Sequence, residues 1–246
     1  MPSPSPPPRL LLRSLVSIQT RLGGFISTSL NSSECYASFQ GRAHYAETKY
    51  DGERMQAHFD GAKFKFYSRN GSDFTEEFGA QASESTKFAC HLFAAFAPGV
   101  KSIIVDGEIC SWNYKTRSLI QKSQKYDVRH IKHDNDEYQQ CLIVYDICFL
   151  NGKILTNLPL SERINLYEKN LRPEEGRVQY SERTVVQNKA GVIDALNEAI
   201  DRREEGLVLK DPDSVYKPNA RSGIYYIVRI IDFFILTTVL NRLHSG

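Results

Sequence analysis

The sequence lacks several things, and each absence closes a class of function. No Gly-x-x-x-x-Gly-Lys-Ser/Thr run occurs, which argues against a Walker-type ATPase. No Ser-His-Asp pattern occurs either. The five cysteines (Cys35, Cys90, Cys110, Cys141 and Cys148) are odd in number and scattered, without Cys-x-x-Cys spacing. That excludes a zinc ribbon and a disulfide framework and reads as reduced thiols in cytosol or nucleus. Neither acidic nor basic residues dominate. A net charge of +2 and a pI near 8.2 supply no global field, so any surface for nucleic acid would be a local patch. No internal repeat is visible. His130 and His133 lie beside Asp134 and Asp136, but the surroundings read as a polar loop rather than a metal cluster.

Long apolar runs are scarce too. The stretch 224–240 comes nearest, with 17 residues interrupted by Arg229 and Asp232. It is short for a membrane helix, and two central charges are expensive there. Three readings stay open for it: a divergent core strand, a foreign tail (the favoured one) and a membrane anchor (the least favoured). Acidic residues are absent from Met1 to Ser33, where Pro2–Pro8 forms a proline-serine run and Arg9, Arg13 and Arg21 are basic. Residues 1–44 therefore read as a disordered or targeting-like segment.

The remainder is ordinary soluble globular sequence, 41% hydrophobic and 24% charged over 246 residues. Met55–Phe59 and Lys63–Tyr67 flank Asp60-Gly61, a hairpin signal with alternating apolar positions. Phe88, Leu92 and Phe96 recur four apart and predict a helix from near Ser83 to Ala97, stopped by Pro98-Gly99. Ile103–Cys110 and Cys141–Leu150 read as buried strands. Helices are expected over about Ser161–Asn170 and Lys189–Glu204, with Gly206 marking the exit into a strand at Leu207–Leu209. Strands of this spacing with scattered helices predict an α+β fold.

Against that background one hexapeptide carries chemistry: Lys49-Tyr50-Asp51-Gly52-Glu53-Arg54. A lysine two residues before Asp-Gly and five before arginine is the pattern of a covalent nucleotidyltransferase. Alone it reads equally as an exposed Asp-Gly turn among surface charges. Its companions change the balance. Ser68-Arg69-Asn70-Gly71, Val105-Asp106-Gly107-Glu108, Val144-Tyr145-Asp146-Ile147 and Glu204-Glu205-Gly206-Leu207-Val208-Leu209-Lys210 follow in order. The series resembles the adenylation domain of eukaryotic ATP-dependent DNA ligases over roughly Tyr45 to Gly223. Glu47-Thr48-Lys49, Tyr67-Ser68-Arg69-Asn70-Gly71 and Asp194–Asp201 before Glu204-Glu205-Gly206 look most like the DNA ligase IV branch, which joins broken ends.

The resemblance implies a nucleotidyltransferase (ATP-grasp-like) adenylation domain at 45–223, two antiparallel sheets flanked by helices with the nucleotide between them, and a divergent hydrophobic tail at 224–246. It implies ATP and Mg²⁺, and self-adenylation at Lys49 before AMP passes to a DNA 5′-phosphate in non-homologous end joining in the nucleus. An organelle is the alternative if the N-terminal segment is a transit peptide. ATP contacts fall on Glu47, Thr48, Lys49, Tyr50, Arg54, Arg69, Lys122, Tyr145 and Lys210. Metal contacts fall on Glu108 and Glu205.

The chemistry suits the residue types. A lysine amine must be unprotonated to attack phosphorus, and nearby cations or burial favour that form. Planar guanidinium forks suit ribose and phosphate oxygens, and carboxylates are hard donors for Mg²⁺. Taken singly, Glu108 and Glu205 read as strand-end charges, Arg69 as a hairpin-edge charge and Tyr145 as core. The tryptophan and two lysines that the family carries near the end are poorly matched. At best Tyr225 replaces the tryptophan and Arg229 one lysine, with Ile227 at the other. The helical DNA-binding domain, the OB-fold domain and the region that binds a coiled-coil end-joining scaffold find no counterpart in the sequence. Nick sealing by this chain alone is accordingly expected to be poor. Two other functions remain: an RNA ligase or capping-type guanylyltransferase, and an impaired isoform that only binds nucleotide or a partner.

Overall fold

The computed structural model describes residues 42–120, 127–202, 204–217 and 225–229. The expected N-terminal segment up to residue 41, Lys122 and the tail beyond Arg229 lie outside the described residues. The chain divides into two compact units. The larger holds Gly52–Tyr180 and residues 215–217. The smaller holds residues 42–51, 181–214 and 225–229 among those described.

The larger unit is built on a seven-stranded sheet. Its strands are β2 (Glu53–Phe59), β3 (Phe64–Ser68), β4 (Ile103–Asn113), β5 (Ser118–Ile120), β6 (Tyr138–Leu150), β7 (Lys153–Ile154) and β8 (Val178–Tyr180). The order is β3-β2-β4-β6-β7, with β5 on β4 and β8 on β6. The Asp-Gly hairpin forms as read: Asp60 Oδ1 accepts from the backbone of Ala62 and Lys63, and Gly61 takes φ +99°. β8 runs parallel to β6, so this sheet is mixed rather than wholly antiparallel.

Alternation on β2 sorts the sheet into two faces. Met55, Ala57 and Phe59 are buried on one of them. Phe59 meets Phe64, Phe93 and Phe96, and Phe66 meets Phe78 and Phe88. Burying rings of this size contributes roughly 2–3 kcal/mol each and supplies most of the local driving force. The helices over that cluster are short: α1 (Thr75–Phe78) and α2 (Phe88–Ala94). The helix expected from Ser83 begins only at Phe88. Glu84 turns back to accept from the backbone of Ala80 and Gln81, and Lys87 is extended at φ −115°, ψ 154°. Side chain-to-backbone bonding thus replaces helical bonding where periodicity alone suggested a longer helix. α3 (Leu160–Asn170) is close to expectation.

The smaller unit carries a four-stranded antiparallel sheet in the order β11-β10-β1-β9, made of Tyr225–Arg229, Gly206–Lys210, His44–Thr48 and Arg183–Val186. α4 (Lys189–Asp201) covers one face. Asn188 caps it by accepting from Gly191, and it ends at Asp201 rather than at Glu204. Val192, Ala195, Leu196 and Ala199 of α4 pack on Ala46, Val186, Leu207 and Leu209. The first residues of the hydrophobic tail pair with β10, Tyr225 opposite Lys210 and Ile227 opposite Val208. Over these five residues the tail is a sheet strand. Among the described residues no helix is long and apolar enough to cross a membrane.

Candidate active site

The predicted site residues divide between the two units. Glu47, Thr48, Lys49, Tyr50, Glu205 and Lys210 belong to the smaller. Arg54, Arg69, Glu108 and Tyr145 belong to the larger.

In the smaller unit, Ala46, Leu207 and Leu209 face α4. Glu47 and Lys210, one residue out of phase, face the other way. Both are buried, and Lys210 Nζ donates to Glu47 Oε2 at 2.6 Å. Ser181 Oγ donates to the same oxygen at 3.0 Å. A buried carboxylate needs such partners. Glu47 Oε1, by contrast, is buried without a hydrogen-bond partner. An unsatisfied buried acceptor costs about 1–3 kcal/mol and calls for an explanation.

Lys49 stands just beyond the end of β1. Its backbone N–H donates to Gly206 O at 2.9 Å, and its Nζ is ion-paired with Glu205. Thr48 Oγ1 donates to Glu204 at 3.2 Å, and Arg202 binds that same carboxylate through two nitrogens. The loop after α4 therefore presents consecutive carboxylates to the consecutive residues Thr48 and Lys49. The Tyr50 hydroxyl accepts from Glu182 N at 3.0 Å, and burial holds it in the protonated form well above its usual range.

In the larger unit, register places Arg54 opposite Glu108, Gln56 opposite Asp106 and His58 opposite Ile104, on the face away from the phenylalanine cluster. Gly52 shows why the motif needs glycine: a Cβ there would meet Ile109 O at 2.6 Å and Glu108 Cγ at 2.8 Å. The motif backbone runs hard against β4 beside Glu108.

Arg54 is clamped by Asp106, with Nε donating to Oδ1 at 2.9 Å and Nη2 to Oδ2. Asp106 is fully buried. Burial disfavours the Arg54 charge, yet the Asp106 carboxylate prevails and pushes its pKa well above the usual value. β6 bulges here. Asp106 pairs with Asp146 and Gly107 with Val144, which leaves Tyr145 outside the register. A bulge re-aims a side chain, and Tyr145 Oη donates to Asp106 Oδ1 at 3.3 Å. Asp146 takes a buried bidentate pair from Arg163 at 2.7 and 3.0 Å. Arg69 lies in the turn closed by Ser68 and Ser72 after β3.

Sequence reading missed Asp106, Gln56, His58 and Tyr216 as parts of this network. The signal was available: Arg54-x-Gln56-x-His58 is a polar period of two on a strand whose other face is apolar. Burial lowers the His58 pKa to about 4 against the pull of Asp106, so it is neutral at pH 7.

The two metal candidates fall in different units. Among the described residues, no group of three or more His, Cys, Asp or Glu gathers as a metal cage. Mg²⁺ is usually held by one or two carboxylates together with substrate phosphates, so the donor chemistry of Glu108 and Glu205 suits it without a cage.

Residues 25–226 match the ATP dependent DNA ligase domain family. The chain is similar to DNA ligase 4 of Homo sapiens, 40% identical over 180 residues, covering 73% of this chain and 20% of that protein. It is also similar to DNA ligase 4 of Candida albicans, 35% identical over 185 residues, covering 70% of this chain and 20% of the relative. The chain thus spans about a fifth of the length of these relatives. Among solved structures, mycobacterial DNA ligase D complexed with ATP and MES superposes with a TM-score of 0.56 at 19% identity, over 76% of this chain and 55% of that one. The bacteriophage T7 ATP-dependent DNA ligase complexed with ATP gives 0.56 at 15% identity, over 87% and 69%. At these identities the superpositions establish the fold.

Proposed function

This chain belongs to the ATP-dependent DNA ligase family, and on that premise we propose that Lys49 takes AMP from ATP as a covalent intermediate. Its Nζ forms a bond to the α-phosphorus while the bond to the pyrophosphate oxygen breaks. The ammonium must first yield a proton, and the carboxylate bonded to it is that of Glu205. AMP then passes to a DNA 5′-phosphate.

One observation carries this reading: on one sheet, Lys49 meets a carboxylate beside the buried Lys210–Glu47 pair, whose Oε1 awaits a donor. An adenine amino group is a donor of the right kind, so Glu47 reads the base edge. Lys210 holds Glu47 in place and adds positive charge toward the phosphates. Arg54, fixed by Asp106, contacts the ribose, and Tyr145 stacks on adenine. Arg69 binds phosphate or the nicked strand. Glu108 and Glu205 each offer a carboxylate suited to Mg²⁺, which neutralises phosphate charge when bound. The adenylation core extends over 45–223. Similarity to proteins named DNA ligase 4 supports DNA strand joining; we further propose that this joining serves double-strand break repair by non-homologous end joining in the nucleus.

Labelling tests this. The protein incubated with α-labelled ATP and Mg²⁺ should carry label through a denaturing gel, Lys49→Ala should not, and α-labelled GTP should leave the protein unlabelled. Labelling by GTP would favour the capping-type reading. Nucleotide binding without covalent label would favour a binding module.

A further inference from the structure

The residue that completes the Arg54 clamp comes from distant sequence. Tyr216 lies 162 positions from Arg54, in the segment after β10 that belongs to the larger unit. Its backbone N–H donates to Thr156 O at 2.8 Å, and its ring packs with Ile104, Cys148 and Phe149. The Arg163 guanidinium lies 5.9 Å from the ring centroid. These contacts aim the hydroxyl at the clamp. Tyr216 Oη donates to Asp106 Oδ2 at 2.8 Å and accepts from Arg54 Nη2 at 2.9 Å and from Gln56 Nε2 at 3.3 Å. His58 continues the chain, its Nε2 lying 3.1 Å from Gln56 Oε1.

We propose that Tyr216 is a positioning residue for nucleotide binding: its hydroxyl bridges Asp106 and Arg54 and fixes the guanidinium in the orientation that meets the nucleotide. The inference rests on the role given to Arg54 above. Asp106 alone constrains one edge of the guanidinium. The Tyr216 oxygen engages Nη2, the nitrogen already shared with Oδ2, and sets its second hydrogen. A fork held on two sides has less freedom to lose when ligand arrives. Burial together with the Asp106 charge keeps the hydroxyl protonated, so it goes on donating to that carboxylate across the pH range of an assay.

Tyr216→Phe keeps the ring and removes the bridge. The control is Tyr180→Phe, which removes another hydroxyl of the same unit, bonded to Leu171 O at 2.7 Å and Glu168 O at 3.2 Å. Single-turnover adduct formation is measured against ATP concentration on the full chain. For Tyr216→Phe, the ATP concentration giving half-maximal rate should rise roughly ten-fold, the loss expected for one hydrogen bond to a charged group. The maximal rate should stay near wild type with the variant still folded at the assay temperature, and Tyr180→Phe should leave the ATP dependence unchanged. An unchanged half-saturation in Tyr216→Phe, or an equal rise in Tyr180→Phe, overturns the inference. A nucleotide-free readout separates this from the function itself. The Arg54 Nε–H resonance, assigned by its loss in Arg54→Lys, should exchange with water faster in Tyr216→Phe and at the wild-type rate in Tyr180→Phe. If the wild type forms no adduct, the proposed function falls and this exchange decides whether Tyr216 fixes Arg54; equal exchange rates would show that it does not.

Discussion

Two ion pairs, one in each unit, treat charge in opposite ways. In the larger, Asp106, Asp146 and Arg163 are almost wholly removed from solvent and bound at fixed geometry. In the smaller, the Lys49 side chain is 17% exposed and its partner Glu205 is 37% exposed. The first arrangement holds groups still. The second leaves an amine that can exchange its partner. A nucleotidyltransferase needs both, a rigid cradle for the nucleotide and a nucleophile able to leave its resting ion pair. In these two pairs, burial of both partners marks the fixed one and exposure of both the exchangeable one.

The contrast can be broken most forcefully at Arg163. Arg163→Ala strands the Asp146 carboxylate in the interior and should reduce stability by about 3–5 kcal/mol in urea unfolding. Adding Asp146→Asn should recover part of that loss, because the stranded charge is gone. A loss under about 1 kcal/mol would mean that the pair is no scaffold.

Lowering pH probes the same face. His58 is neutral in the folded protein with a pKa of about 4, below its ordinary 6.5. Between those values the unfolded chain takes a proton that the folded one refuses. The contribution is therefore complete above pH 6.5 and is lost as pH falls toward 4. The expected loss from pH 7 to pH 4 is roughly 3 kcal/mol. His58→Gln should flatten that part of the stability profile, and an unaltered slope would remove His58 from the account.

Lys210→Met tests a buried pair of the smaller unit. It should destabilise by about 2–3 kcal/mol, below the Arg163 effect, because Ser181 still donates to Glu47. Glu205→Gln should give the smallest stability change, within about 1 kcal/mol. Adenylation should nonetheless slow by roughly a hundredfold, since Glu205 is proposed both to pair with the Lys49 amine and to hold Mg²⁺. Equal stability losses for Lys210→Met and Glu205→Gln would erase the distinction between the two pairs.

Much of this was legible in the sequence because it is local. The Asp60-Gly61 hairpin, the long apolar strands, α3 and the lysine motif each follow from residues within a dozen positions of one another. The pairing of Lys49 with Glu205 and of Glu47 with Lys210 follows once β1 and β10 are known to be neighbours. The late start of α2 was hidden, because Phe88, Leu92 and Phe96 keep helical spacing while Glu84 and Lys87 bond elsewhere. Asp106 and Tyr216 were hidden for another reason. An aspartate inside an apolar strand and a tyrosine in a loop acquire meaning only when register and a long return connection bring them to Arg54. The bulge that leaves Tyr145 out of register has no local signature in the sequence.

Tandem mass spectrometry of the protein after reaction with ATP and Mg²⁺ tests the central claim most directly, by locating the bound AMP. The account predicts AMP on the side chain of Lys49 and on no other residue, with Lys49→Ala carrying none while keeping its fold. AMP attached elsewhere, or nucleotide held by folded wild-type protein without any covalent bond, would contradict it.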